Sequence, residues 1–145
     1  DETNGILFSG DTILPTPRVT ALLELETMIK NPDSNPLCLH LESLENLAKL
    51  QLKQVLPGHG GIFNECLLIT EAVRERHRKR QRHILRALRR EPKTLYHICR
   101  SVFPLTSADD LYLSLSEIIG NTGILLQEGA IKRNRDGDIF FYEKG

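Results

Sequence analysis

Residues 56–61 read Leu56-Pro57-Gly58-His59-Gly60-Gly61, and the rest of the chain is read outward from them. A short apolar run, Val55-Leu56, leads in, so a strand is expected to end there. Pro57 fixes one backbone dihedral on the approach. Glycine on both sides lets the chain turn tightly enough to push one imidazole forward. The neighbours supply no bulk to bury His59, which suits a metal ion better than a core. A second stretch of the same build lies upstream. Gly5-Ile6-Leu7-Phe8-Ser9 predicts a buried strand, and Gly10-Asp11-Thr12 ends it with a carboxylate at the tip. Carboxylate and imidazole are ligand types that zinc and similar divalent ions accept. Taken singly, Gly-Asp and Pro-Gly are ordinary turn dipeptides.

Together the segments FSGDTIL (8–14) and VLPGHGG (55–61) carry more information than either alone. In this order, roughly fifty residues apart, they resemble the C-terminal half of the metallo-β-lactamase-fold hydrolases. Leu41-Glu42-Ser43-Leu44-Glu45-Asn46-Leu47 resembles the helix this family places before its PGHG loop. Residues 71–88, containing HRKRQRHIL, resemble the helix that follows in a subgroup with a C-terminal winged helix, which includes lactamase-beta-like endoribonucleases. The resemblance implies an α/β fold, the C-terminal half of an αββα sandwich, followed by an α+β winged-helix domain. The implied boundaries are 1–63 for the sandwich part, 64–78 for a connecting basic helix and 79–145 for the winged helix. It further implies a two-zinc hydrolase in which Asp11 bridges both ions and His59 binds the second. Thr12 would steady Asp11 by a hydrogen bond. A metal-activated hydroxide would attack an RNA phosphodiester or a small ester or thioester.

The chain departs from that family in one respect. The family's main metal motif, H-x-H-x-D-H, is absent. The histidines are His40, His59, His77, His83 and His97, and no two are spaced by two. The only methionine is Met28. The expectation is therefore a C-terminal fragment, inactive alone, whose partner is the N-terminal half of the same protein. The alternative is a non-catalytic module built on the winged helix, self-associating as a homodimer or binding nucleic acid.

Composition agrees with a globular chain. Of 145 residues, 40% are hydrophobic and 26% charged, and no apolar run approaches the ~18 residues of a membrane span. No membrane partner is expected. Cys38, Cys66 and Cys99 are far apart and odd in number. They form neither a zinc pattern nor a disulfide framework, so a reducing compartment, cytoplasm or mitochondrial matrix, is expected. Each reads as a small buried apolar residue rather than a nucleophile.

Taken in order, residues 19–29 have helical spacing, and 31–36 (Asn-Pro-Asp-Ser-Asn-Pro) break it. A helix is predicted over 39–50, with Leu41, Leu44, Leu47, Ala48 and Leu50 on its apolar face. Strand–helix–strand alternation argues for α/β layers. Two strands and two helices make only half a core, so broad apolar faces are expected to stay exposed. Asn64 is the expected N-cap of a long helix, with Glu65 in its first turn. Leu68, Ile69, Ala72 and Val73 form its first stripe, Ile84, Leu85 and Leu88 its second, and Pro92 its end. Thr94 caps a helix over 95–103. Ser107 and Asp110 resemble a capping box before a helix that Gly129 closes. Gly120 and Gly123 either interrupt that helix or admit a close neighbour. Residues 130–142 predict a hairpin with Asp136-Gly137 at the tip, Ile131 and Arg133 facing Ile139 and Phe141. Three helices followed by a hairpin make a winged helix on the helix-turn-helix plan.

The formal net charge of +0 hides an uneven distribution. Residues 74–93 hold ten bases (Arg74, Arg76, Arg78, Lys79, Arg80, Arg82, Arg86, Arg89, Arg90, Lys93) and two acids, Glu75 and Glu91. Arg76, Arg78, Arg80 and Arg82 are the candidate polyanion-binding residues. A solvated face paired with acids elsewhere is an equal reading. Between Arg100 and Lys132 there is no base at all, while Asp109, Asp110, Glu117 and Glu128 are acidic. A groove-reading DNA helix needs cations there, so that mode is disfavoured. His77 and His83 are expected at the surface or beside a ligand, and His97 is expected to be structural.

Overall fold

In the computed structural model, the described residues are 1, 3–17, 21–22, 30 and 34–145. Apart from Ala21 and Leu22, which lie in no regular element, the helix expected over 19–29 lies outside them, as does the first half of the 31–36 turn. The elements run β1 (Ile6–Gly10), α1 (Pro36–Ala48), β2 (Gln54–Pro57), α2 (Cys66–Ala87), α3 (Leu95–Val102), α4 (Leu111–Gln127), β3 (Ile131–Asp136) and β4 (Ile139–Lys144). The chain divides into two compact units, Asp1–Val19 with Leu39–His77, and Thr20–Cys38 with Arg78–Gly145. The division falls within α2, between His77 and Arg78. No helix among the described residues is long and apolar enough to cross a membrane.

In the first unit, β1 and β2 pair in parallel, with Leu7 opposite Val55 and Phe8 opposite Leu56. A parallel pair needs a crossover, and α1 lies within it. Leu44, Val55, Ile13 and Val73 are buried at its centre, with Leu7, Leu41 and Phe63 packed on them. α1 starts at Pro36, three residues earlier than expected, because the Asn35 side chain accepts from the Leu37 N–H at 3.1 Å and Pro36 takes the first helical position. α2 starts after Glu65, whose carbonyl accepts the Ile69 N–H, so the cap is Glu65 and not Asn64. It ends at Ala87, well before Pro92.

β1 is not the buried strand its composition suggests. Phe8 is 72% exposed and only Ser9 is buried. Among the described residues β2 is its one neighbour, so one side of the strand stays bare. The inward stripe of α2 also differs from expectation. Cys66, Ile69, Thr70, Val73 and His77 face inward, while Leu68 and Ala72 face out. The exposed apolar surface of this unit includes Phe8, Ile62, Leu67 and Leu68.

The second unit has a closed core of Ile84, Leu88, Ile98, Cys99, Ile118, Leu125, Ile131 and Tyr142. Thr94 caps α3, its hydroxyl accepting from the His97 N–H at 3.3 Å. Ser107 and Asp110 do pair, the Asp110 N–H donating to the Ser107 hydroxyl at 3.1 Å, but in a turn just ahead of α4 rather than inside its first turn. Gly120 and Gly123 do not interrupt α4. A Cβ at Gly120 would stand 2.9 Å from Leu37 Cβ, and one at Gly123 would stand 2.6 Å from Asn35 Nδ2. Their role is close approach. Asn35 Nδ2 donates to the Gly120 carbonyl at 2.8 Å across that contact.

The hairpin is present, with its loop one residue later than expected. Asp136 pairs with Ile139, so Gly137-Asp138 forms the loop. Ile131 pairs with Lys144 and Arg133 with Tyr142, so these two residues do not face Ile139 and Phe141. Tyr142 lies in the core with Ile131, and Ile139 lies outside. Lys93 extends the sheet by exchanging backbone hydrogen bonds with Tyr142.

Candidate metal centre

The parallel sheet brings Asp11 and His59 to one edge. Its register slips between Phe8 and Gly10, so Gly10 ends opposite Pro57. The Gly58 N–H then donates to the Gly10 carbonyl at 2.7 Å. Asp11 and His59 leave the sheet side by side. His59 Nδ1 stands 2.7 Å from Asp11 Oδ1, although the two residues are 48 apart in sequence.

The local sequence makes this contact possible. A Cβ at Gly58 would sit 2.6 Å from Asp11 Oδ1, so any side chain there would push the carboxylate from its present place. Gly60 has φ +89°, which side-chain-bearing residues rarely adopt, and a Cβ there would meet Pro15 Cγ at 2.7 Å. The loop closes where Val55 and Phe63 exchange backbone hydrogen bonds. Below Asp11, the Thr12 N–H donates to the Ser9 carbonyl and the buried Ser9 hydroxyl donates to the Ile13 carbonyl, each at 3.0 Å. Thr12 therefore steadies the Asp11 turn through its backbone.

Both side chains are open to water, 77% exposed for His59 and 62% for Asp11. So exposed a pair contributes little to stability. Folding energy alone does not explain why the chain builds a glycine notch around it. The donor chemistry fits a divalent ion. Ligands at about 2.0–2.2 Å around tetrahedral zinc stand roughly 3.3 Å apart, so this direct hydrogen bond would open by roughly half an ångström to admit one. Among the described residues no three His, Cys, Asp or Glu side chains gather as a metal site. Among the described residues, Asp11 and His59 are the candidate donors that meet at this edge.

Known proteins place this edge in a family context. No family model matches the chain. Over 142 residues, 98% of its length, it is 28% identical to the probable metallo-hydrolase YqjP of Bacillus subtilis (strain 168). The crystal structure of a beta-lactamase domain protein from Burkholderia ambifaria matches all of the chain with TM-score 0.82 and 26% identity. The chain matches metallo-β-lactamase-fold proteins from end to end. A metallo-beta-lactamase family protein from Thermus thermophilus matches 99% of it with TM-score 0.78 and 26% identity. The chain spans 44% of the Bacillus protein and 43% of each of the other two. Its α/β architecture is thus similar to that of a metallo-β-lactamase domain.

The four candidate polyanion-binding arginines do not share one face of this metallo-β-lactamase-like chain. Arg76 turns inward, and its Nη1 donates to the Pro17 carbonyl at 3.0 Å. Arg80 also turns inward. Its Nε donates to Glu117 Oε1 at 2.7 Å, and its guanidinium lies 3.9 Å from the centre of the Phe103 ring. Arg78 and Arg82 are exposed. Helical geometry explains the split, since positions two apart point to nearly opposite sides while i and i+4 align. Pairing with Arg80 also removes Glu117 from the acids expected to repel phosphate.

The histidines divide similarly. His77 is 2% exposed, against the expectation of a surface position, because it continues the inward stripe of α2 after Val73. Its Nε2 lies 3.4 Å from Arg76 Nη2. His40, which no sequence pattern singled out, has a buried Nε2 with no hydrogen-bond partner among the described residues. Burial, and then the Arg76 charge, push its pKa down. His97 braces its helix start, with Nδ1 2.8 Å from the Thr94 hydroxyl. Cys66 and Cys99 are buried and free, and burial pushes both thiols up, away from nucleophilic use.

Proposed function

We propose that Asp11 and His59 are zinc ligands in a hydrolytic centre of the metallo-β-lactamase type. The observation that carries this reading is the 2.7 Å convergence of a carboxylate and an imidazole from two strand ends, beside a glycine whose Cβ would crowd that carboxylate. A divalent cation supplies there polarisation of the attacked carbonyl or phosphoryl oxygen and a nucleophilic water near neutral pH. The chain's own residues do the holding. Asp11 contributes the negative charge that offsets the cation, and His59 a nitrogen donor. Gly58 and Gly60 keep the loop thin enough for a substrate to approach both. The Bacillus relative's description as a probable metallo-hydrolase supports hydrolysis as the reaction class. The substrate is an RNA phosphodiester or a small ester or thioester, and the outward bases of α2 favour RNA.

The test is made on the natural polypeptide that carries this chain. Asp11→Ala and His59→Ala are each expected to lower bound zinc and to reduce phosphodiester or thioester hydrolysis at least a hundredfold. Wild-type rate and metal content in either variant would overturn the assignment.

A second reading concerns residues 78–145, which we propose form a winged-helix-type module from the end of α2, α3, α4 and the β3–β4 hairpin. Exposed Leu105, Tyr112 and Leu113 favour self-association through it. Sedimentation would decide: a monomer at every concentration removes the homodimer.

A further inference from the structure

The outward face of α2 is a part of the molecule that the metal centre does not use. Arg78, Lys79, Arg82 and Arg86 are all exposed and recur at i, i+1, i+4 and i+8, one charge or more on each 5.4 Å turn. Arg78, Lys79 and Arg86 have no ion-pair partner among the described residues. The contrast lies within the same helix. Arg74 meets Glu45 at 3.1 Å and Arg80 meets Glu117 at 2.7 Å. The two acids of α2, Glu71 and Glu75, are both exposed and lie in its first half, and none follows between Arg76 and Ala87. Like charges one turn apart repel and destabilise an isolated helix.

A groove adjoins this face inside the second unit. It has a volume of about 470 Å³ and is lined by His83, Arg86, Ala87, Ser101, Val102 and Pro104. Arg86 belongs to both the charged row and the groove wall. Its lining combines the apolar Ala87, Val102 and Pro104 with the polar His83, Arg86 and Ser101. Burial, with Arg80, Arg86, Lys79 and Arg82 around it, pushes the His83 pKa down, in keeping with a concentrated positive potential.

We propose that Arg78, Lys79, Arg82 and Arg86, with the groove beside Arg86, form a binding surface for single-stranded nucleic acid. The charged row tracks the phosphates, and the groove receives an unstacked base. A duplex keeps its bases stacked and cannot fill the groove. α4 has no lysine or arginine with which to read a major groove instead. The surface deepens the RNA reading of the hydrolytic centre, but its binding step needs no metal.

The experiment is fluorescence anisotropy of the chain with a labelled oligouridine, in EDTA, across a salt series. Binding is expected to weaken with a log–log slope of about −2 to −3, the value for three or four phosphates on a single strand. The double variant Arg78→Glu with Arg86→Glu, both outward positions, is expected to fold normally by circular dichroism and to bind at least tenfold more weakly with a shallower slope. Duplex of the same length is expected to bind more weakly than the single strand. No binding at low salt, a double variant that binds like wild type, or equal displacement by polyglutamate would overturn the proposal. Because a chelator is present throughout, none of these results bears on whether Asp11 and His59 hold a metal.

Discussion

The two units of this chain enclose cores of different size. In the second, Ile84, Ile98 and Ile118 are all fully enclosed, the hairpin closes over them with Ile131 and Tyr142, and eight of the described residues make the buried core. In the first, Leu44 and Val55 are enclosed too, in a core of six. Large apolar side chains lie open on both, among them Phe8, Leu67 and Leu68 on the first and Leu105, Tyr112 and Ile139 on the second. A two-stranded sheet with one helical crossover is below the size at which such units stand securely alone. The unit that carries the candidate metal ligands is therefore the one with the thinner core. The unit with the closed core carries the outward charges. The proposed metal ligands thus lie on the edge of the unit with the smaller core, and the proposed binding surface on the unit with the larger one.

Truncating each core tests this contrast most strongly. Ile118→Ala is expected to cost about 2–5 kcal/mol in urea denaturation, as for other enclosed core residues. Hydrogen exchange should then rank the units in the unmodified chain, with α4 amides protected longest and β1 amides exchanging early. Protection of β1 equal to that of α4 would mean that the first unit is as well supported as the second.

A smaller effect is expected at Arg80. Its side chain is 19% exposed and that of Glu117 is 10% exposed, so the pair is largely dry. Arg80→Met leaves Glu117 without its cation and should cost about 2–3 kcal/mol, somewhat below the figure for a fully buried pair. Arg78→Met, one turn-face away and exposed, should change stability by less than about 0.5 kcal/mol. Equal losses in the two variants would dissolve the distinction between inward and outward arginines on α2.

The smallest expected effect is on pH dependence, in the first unit. The folded-state pKa of His40 lies below its ordinary value. The unfolded chain therefore binds the proton more readily, and stability is full above about pH 6.5 and falls as the pH drops below it. The urea midpoint should decline from pH 7.5 to pH 5, and His40→Leu should flatten that decline. An unchanged slope in the variant would remove His40 from the cause.

Several features were legible from residues alone because local chemistry sets them. The Thr94 cap, the end of α4 before Gly129, the existence of the hairpin and the two strand-end motifs are each decided within a few residues. Others depended on distant partners. The helix start at Pro36 follows from Asn35, which also reaches Gly120 across 85 residues. The hairpin loop falls one residue later than the local sequence suggests because Asp136-Gly137 and Gly137-Asp138 are both good turn pairs, and the pairing of Asp136 with Ile139 belongs to the second.

The amino-acid order by itself established that a carboxylate and an imidazole each end a short apolar run beside glycine, and that residues 74–93 hold ten of the nineteen lysines and arginines. It could not say whether the first two meet or which way the charges point. Side-chain spacing along a chain is a local quantity, whereas convergence across 48 residues needs the parallel pairing, the slip at Ser9 and the Gly10–Gly58 hydrogen bond. The direction of each arginine was likewise decided by what packs against α2, with Pro17, Phe103 and Glu117 drawing Arg76 and Arg80 inward and leaving Arg78 and Arg82 on the surface.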